Sequence, residues 1–420
     1  MTQKYKFTFY ACCVSSVLMA AIVNVTPIIF IPLKEIYNLT YASLGILCSV
    51  NFVTQFVCDF LFGYLADKFG VKRFLILAAS LALIGFILFS ASPALFPQNT
   101  FSGLLVATFL FSIGGGIMET LLSPVVNALP AENKAATMSI MHSFYAWGQV
   151  AVVLITTFLI KVFGRQNWFV TYLFWSILAF SSLIMLSLST ILPPERSENN
   201  NGIKSFIFKP MFLLSLLIML GGGATEIGLS QWASSFMEKG LAIPKETGDI
   251  LGMCMFAVFM GLGRTLYAKV GGKLRVINVL ITGASLALIC YIAVAVSPYP
   301  VFSLIFCAIC GIAVSLLWPC TLTMCAEHFP YGGTLMFAIL AGGGDAGCSS
   351  APWLIGAVVD LAAKWPFCAD FAAKLSLTAE QLALRIGILS GGIFPFMALV
   401  GLLVFKFKSK KKREQELKNL

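Results

Sequence analysis

Residues 192–209 read LPPERSENNNGIKSFIFK, the only long polar interruption in a chain of 420 residues. Two prolines, three consecutive asparagines and charges of both signs leave it no apolar period, so it reads as a linker. Working outward in both directions, apolar stretches of about 20 residues recur, the length that crosses a bilayer core. Six precede the linker, at 7–31, 41–66, 70–91, 100–128, 134–161 and 168–190. Six follow it, at 211–236, 247–268, 273–294, 299–325, 333–361 and 382–406.

The hydrophobic set makes up 59% of the chain and charged residues only 11%, which lies outside the range of soluble domains. Lipid offers no partner to a bare backbone amide, so helices that bond within themselves are the expected spanning element. The fold class that follows is an all-α integral membrane protein of twelve transmembrane helices. Its expected parts are an N-terminal six-helix bundle at 1–191, the cytoplasmic linker at 192–209, a C-terminal bundle at 210–406 and a basic tail at 407–420. The first stretch has Lys4 and Lys6 before it and no small-residue cleavage site after it, so it is expected to remain as span 1.

The net charge of +10 could suggest a nucleic-acid partner, but the placement of the 28 Lys and Arg residues argues otherwise. With the N-terminus inside, twenty fall on the termini and the loops of that side and eight on the other. That bias is the topological signature of membrane proteins and predicts cytoplasmic termini in a cell membrane, with no nucleic acid. Nearly all of the twelve Cys lie in apolar spans, where helix packing is the expected role; no metal site is expected. No GxxxxGK[ST] loop and no HExxH is present, so neither nucleotide-driven transport nor metalloprotease chemistry has a motif. No cofactor and no enzymatic activity are expected, and gradient-driven movement of a small molecule is the function class that remains.

Two parallel repeats should show echoes at about 200 residues. Asp67-Lys68-Phe69-Gly70-Val71-Lys72 aligns with Ala268-Lys269-Val270-Gly271-Gly272-Lys273, each just after the second span of its half. The triplets Gly114-Gly115-Gly116 before Glu119 and Gly221-Gly222-Gly223 before Glu226 have identical spacing, but they lie in spans 4 and 7, which are not repeat partners.

A charge in hydrocarbon is costly, so each carboxylate within a span is a functional candidate. Asp59, Glu119, Glu226 and Asp345 are the proton-coupling candidates. Glu119 sits mid-span after a glycine triplet that allows close approach or local unwinding. Glu226 aligns with Asn24 of span 1. Asn51, Gln55, Asp59, Gly63 and Asp67 form one polar stripe at four-residue spacing along span 2, with span 11 a candidate partner. Arg264, at the position that matches Gly63, is expected to snorkel or to pair with a carboxylate. The substrate-cavity candidates supply amides, hydroxyls and aromatic faces: Asn24, Asn127, His142, Tyr145, Trp147, Gln149, Gln231, Trp232 and Trp318. Interfacial aromatic belts account equally well for some of the Trp.

The run Gly63-Tyr64-Leu65-Ala66-Asp67-Lys68-Phe69-Gly70-Val71-Lys72-Arg73 resembles the signature joining spans 2 and 3 in the major facilitator superfamily. The resemblance implies two bundles in pseudo-twofold repeat around a midplane cavity, working by alternating access, and a monomer. It also implies a cytoplasmic gate at Gly63, Asp67, Lys68, Gly70, Lys72 and Arg73, with Arg264 at the equivalent place in the second half. Through Glu119-Thr120, Pro124 and Asn127 in span 4, the chain is most similar to the fucose permease group of sugar:proton symporters. That similarity implies a proton-coupled carrier of a sugar or polyol. The group's characterised fucose carrier has an acidic residue in span 1, where this chain has Asn24-Val25-Thr26, so the resemblance does not carry proton coupling onto that span. A proton-driven exporter of amphipathic compounds is the rival reading, suited by the many Phe and Met residues.

Overall fold

In the computed structural model, residues 3–130, 134–192, 206–270, 274–329 and 333–418 are described. The side chains of Asp67, Lys68, Asn127 and residues 268–270, the burial of Gly63, most of the linker, and residues 271–273 of the repeat echo lie outside what is described. Twelve helices among the described residues are long and apolar enough to cross a membrane. Spans 1 to 6 are Gln3–Ile28, Tyr41–Phe62, Val71–Leu95, Thr100–Val126, Ile140–Phe163 and Arg165–Leu188. Spans 7 to 12 are Pro210–Gly240, Lys245–Tyr267, Val276–Val296, Pro300–His328, Ile339–Ala363 and Ala379–Lys410.

The ends of these helices follow local chemistry. Thr40 caps the helix of span 2 by accepting from the Ser43 amide at 3.1 Å. Gly70 joins spans 2 and 3 at φ +94°, a left-handed conformation that side chains resist, which explains the glycine in that turn. Thr378 and Gln381 form a reciprocal capping box where span 12 begins.

Several predicted spans are interrupted. Span 1 breaks at Ile29, and a second helix runs over Phe30–Tyr37. Pro32 has no N–H to offer the Ile28 carbonyl four residues back, which removes a helical bond at the break. Span 10 is two helices, Pro300–Val314 and Leu317–His328, and Pro319 likewise leaves the Ser315 carbonyl without its helical donor. An extra helix, Pro366–Lys374, separates spans 11 and 12. Apolar periodicity finds long runs and passes over both kinds of detail.

The chain divides into two compact units. Unit 1 comprises Met1–Arg196 and Ala242–Cys254, and unit 2 comprises Ser197–Leu241 and Met255–Leu420. The sequence reading put all of span 8 in the second half, yet the first part of that span packs with unit 1.

Within unit 1, span 1 packs on spans 5 and 6, span 3 on spans 4 and 6, and span 2 on span 4. Within unit 2, span 7 packs on spans 11 and 12, span 9 on spans 10 and 12, and span 8 on span 10. Each pairing recurs six spans later, so the repeat, weak in sequence, is plain in packing.

The glycine triplets are what permits that packing. A Cβ at Gly116 would lie 2.6 Å from the Cβ of Cys58, and one at Gly114 would lie 2.5 Å from the Ala78 carbonyl oxygen. A Cβ at Gly223 would lie 2.5 Å from the Gly344 carbonyl oxygen. Both helices run on unbroken through their triplets, so close approach, and not unwinding, is the role of these residues. Phe86, Phe89, Phe111, Trp168 and Tyr172 fill the interior of unit 1, with Phe89 stacked on Tyr172 at 4.1 Å between ring centroids. Leu188, Phe158, Ile177, Leu361 and many other large apolar side chains are exposed, a surface that suits lipid and not water.

Candidate functional site

Two candidate carboxylates of unit 1, Asp59 and Glu119, lie on the adjoining spans 2 and 4. Thr120 Oγ1 donates to Asp59 Oδ1 at 2.8 Å, and it also bonds the Gly116 carbonyl one turn back. Two turns further along the stripe, Gln55 donates to Asn51 at 3.1 Å and Ser112 donates to the same Asn51 oxygen at 2.6 Å. Span 4 therefore satisfies the polar stripe of span 2 at Asn51 and Asp59, a role the sequence reading offered to span 11.

Glu119 precedes Thr120 and is exposed, although it sits deep in a span. A carboxylate at that depth is tolerated when it faces a water-lined space. On the adjoining face, Ser123 Oγ and His142 Nε2 share a hydrogen bond of 3.3 Å between spans 4 and 5. His142 is exposed, Tyr145 is half-buried, and Trp147 stands 69% exposed.

Other cavity candidates are buried instead. Gln149 donates to Asn24 at 3.2 Å, and Asn24 donates to the Ala20 carbonyl, so this pair ties span 5 to span 1 in the interior of unit 1. Gln231 and Trp232 are buried in unit 2, where the Trp232 indole N–H donates to the Pro352 carbonyl at 3.1 Å. Trp318 packs against the cluster of Phe212, Met219 and Leu340, over Gly344. Asp345 is also buried there.

In unit 2 the charged centre is Arg264 with Glu226. Their side chains meet at 3.7 Å, and the Arg264 Nε donates to the Ser315 carbonyl at 3.1 Å. That carbonyl is the one Pro319 leaves without a helical donor, so the guanidinium serves a carboxylate and a helix break together. Lys72, a gate residue by resemblance, donates to the Ser189 carbonyl at 2.8 Å, where it caps the end of span 6.

Sequence reasoning passed over Asp249, which lies at the start of span 8 and is fully buried beside Lys245 at 3.2 Å. The signal was available as a Lys-x-x-x-Asp spacing that places both groups on one helical face.

Twelve apolar helical spans among the described residues, divided between two compact units with polar groups held inside them, make this a polytopic membrane protein. Residues 11–352 match the family model of the Major Facilitator Superfamily, and the chain belongs to that family. The Bacillus subtilis (strain 168) protein NiaP, a candidate niacin/nicotinamide transporter, is 30% identical over 145 residues, covering 34% of this chain and 35% of NiaP. The match thus spans about a third of that relative's length. Among solved structures, a bacterial homologue of the human lysosomal transporter Spinster superposes with a TM-score of 0.77 at 14% identity, covering 97% of each chain. A D-xylose-proton symporter does so with 0.77 at 14%, covering 96% of this chain and 97% of that one. The E. coli fucose:proton symporter gives 0.60 at 13%, covering 96% and 99%. At these identities the structures establish the fold alone, and the family to which the chain belongs is one of transporters and not of enzymes.

Proposed function

We propose that this chain is a secondary active transporter that moves a small polar solute, a sugar or polyol, by alternating access coupled to a proton at Glu119. The observation that carries the reading is a carboxyl group deep in span 4 that is exposed and borders a second, hydrogen-bonded carboxyl at Asp59. In this reading the exposed face of Glu119 meets water and lets it exchange a proton, while Thr120 holds Asp59 in place. His142, Tyr145 and Trp147 on span 5 supply the hydrogen-bonding and aromatic surfaces that a sugar ring uses. Asp67, Lys68, Lys72 and Arg73 take the cytoplasmic gate role in this reading. A potential of about 100 mV is worth about 2.3 kcal/mol per proton, enough for an approximately 40-fold solute gradient.

A second solute class is favoured by the partial match to NiaP. A pyridine carboxylate or amide would meet the guanidinium of Arg264, whose fork suits planar carboxylates.

The test is uptake of a labelled panel of sugars, polyols, nicotinate and nicotinamide by proteoliposomes, with and without an imposed proton gradient. The expected result is gradient-driven uptake of a sugar or polyol that Glu119→Gln abolishes, with gradient-independent exchange retained. Uptake of nicotinate alone, lost in Arg264→Met, would replace the solute and keep the class. Uptake that is driven by the gradient but indifferent to Glu119→Gln would remove the coupling assignment.

A further inference from the structure

The part of span 8 that belongs to unit 1 is bounded by backbone irregularities. Ala242 enters it at φ +54°, a left-handed conformation for a residue with a side chain, and a π-helical turn at Asp249–Cys254 closes it. Such conformations persist only when the surroundings impose them. The segment Ala242–Cys254 is therefore a strap that unit 1 holds, while the chain on both sides of it belongs to unit 2.

The strap is held by a buried ion pair as well as by the burial of Met253 and Cys254. The Lys245 ammonium is 2.6 Å from the Ile28 carbonyl oxygen and 3.2 Å from Asp249 Oδ2. Thr157 Oγ1 of span 5 donates to Asp249 Oδ2 at 2.8 Å. Lys245 is 6% exposed and Asp249 not at all. The Ile28 carbonyl can take this cation because Pro32 offers it no amide.

A buried ion pair is a poor way to build permanent cohesion, since apolar residues of the same volume are often as stable or more so. It differs from apolar packing in what happens on release. Ammonium, carboxylate, hydroxyl and the stranded carbonyl can each exchange their partner for water, so at these groups release trades one set of polar contacts for another, while Met253 and Cys254 become exposed. The polar contacts thereby make release less costly than it would be from an all-apolar seam.

We propose that Lys245 and Asp249 are positioning residues forming a releasable charge latch, through the Ile28 carbonyl and Thr157, that governs how often the strap leaves unit 1. The inference deepens the transporter reading and rests on it for its purpose. Its test requires no substrate, so the two can fail separately.

Cys254 at the end of the strap is 3% exposed and Cys12 in the middle of span 1 is 0% exposed, so their alkylation by N-ethylmaleimide separates strap release from global opening. The full-length protein in nanodiscs would be alkylated and both sites quantified by mass spectrometry. The wild type should label faster at Cys254 than at Cys12. Lys245→Met and Asp249→Asn, each breaking the ion pair and leaving a buried charge without its counter-charge, should raise the Cys254 rate about tenfold or more with Cys12 unchanged. The double variant Lys245→Met/Asp249→Leu should return to within about threefold of wild type, and Lys245→Arg should do so as well. Single variants without effect on Cys254 would overturn the latch in favour of apolar packing. A rise shared equally by Cys12, or a double variant as open as the singles, would show fold cement and no latch.

Discussion

At the residue scale, the two most informative positions are one that carries no side chain and one that carries a cation. Gly116 leaves room for Cys58 and Gln55 of span 2, and that proximity sets Thr120 against Asp59. Gly116→Ala should cost about 1–3 kcal/mol through overpacking, read as a lower unfolding temperature in detergent. Gly261→Ala is the matched control, because nothing lies within 4 Å of where its Cβ would stand and alanine favours helix; its stability should be unchanged or about 1 kcal/mol higher. Arg264→Met would strip Glu226 and the Ser315 carbonyl of a donor together, at about 1–3 kcal/mol in the same assay. Arg264→Lys should recover only part of that, since an ammonium cannot present a planar fork to two acceptors. Glu119, Asp59 and Glu226 could be singled out in the sequence because a carboxylate inside an apolar run is conspicuous. The burial of Asn24, Gln149 and Gln231 could not, because an amide has the same letter whether it faces a cavity or another amide.

At the element scale, Pro32 and Pro319 stand just past two of the span breaks, and cations occupy the two carbonyls they free, whereas Pro124 and Pro352 lie inside unbroken helices. Pro32 with Lys245 and Pro319 with Arg264 are two cases of one arrangement. Pro319→Ala should restore the helical bond to the Ser315 carbonyl and compete with Arg264 for it. By hydrogen exchange, the new amide at position 319 should be protected like those of the adjoining turns, and the exchange of neighbouring amides across the break should slow. An unprotected amide there would show that the break is imposed by tertiary packing and not by the proline. The breaks were invisible to a hydropathy reading, which averages over some 20 residues and is blind to a single missing N–H. The pairing of cation with carbonyl depends on residues more than 200 positions apart in one case and 51 in the other.

At the scale of the whole molecule, the distribution of Lys and Arg makes a prediction about orientation. Both termini should be cytoplasmic, so a C-terminal affinity tag should be cleaved by added protease in inverted membrane vesicles and protected in right-side-out ones. A protected tag in inverted vesicles would reverse the topology and move the proposed gate to the opposite face. The count of spans and the membership of a transporter family were legible in sequence. They depend on local quantities: an apolar run has to be about as long as the bilayer is thick, and a short charged motif stays contiguous. The capture of Ala242–Cys254 by unit 1, the burial of Lys245 with Asp249, and the match of Arg264 to Glu226 were decided by tertiary structure alone. Lys245 and Asp249 are partners along one stretch of chain, but the Ile28 carbonyl and Thr157 that complete their shell come from other helices, and that convergence exists only once the helices have packed.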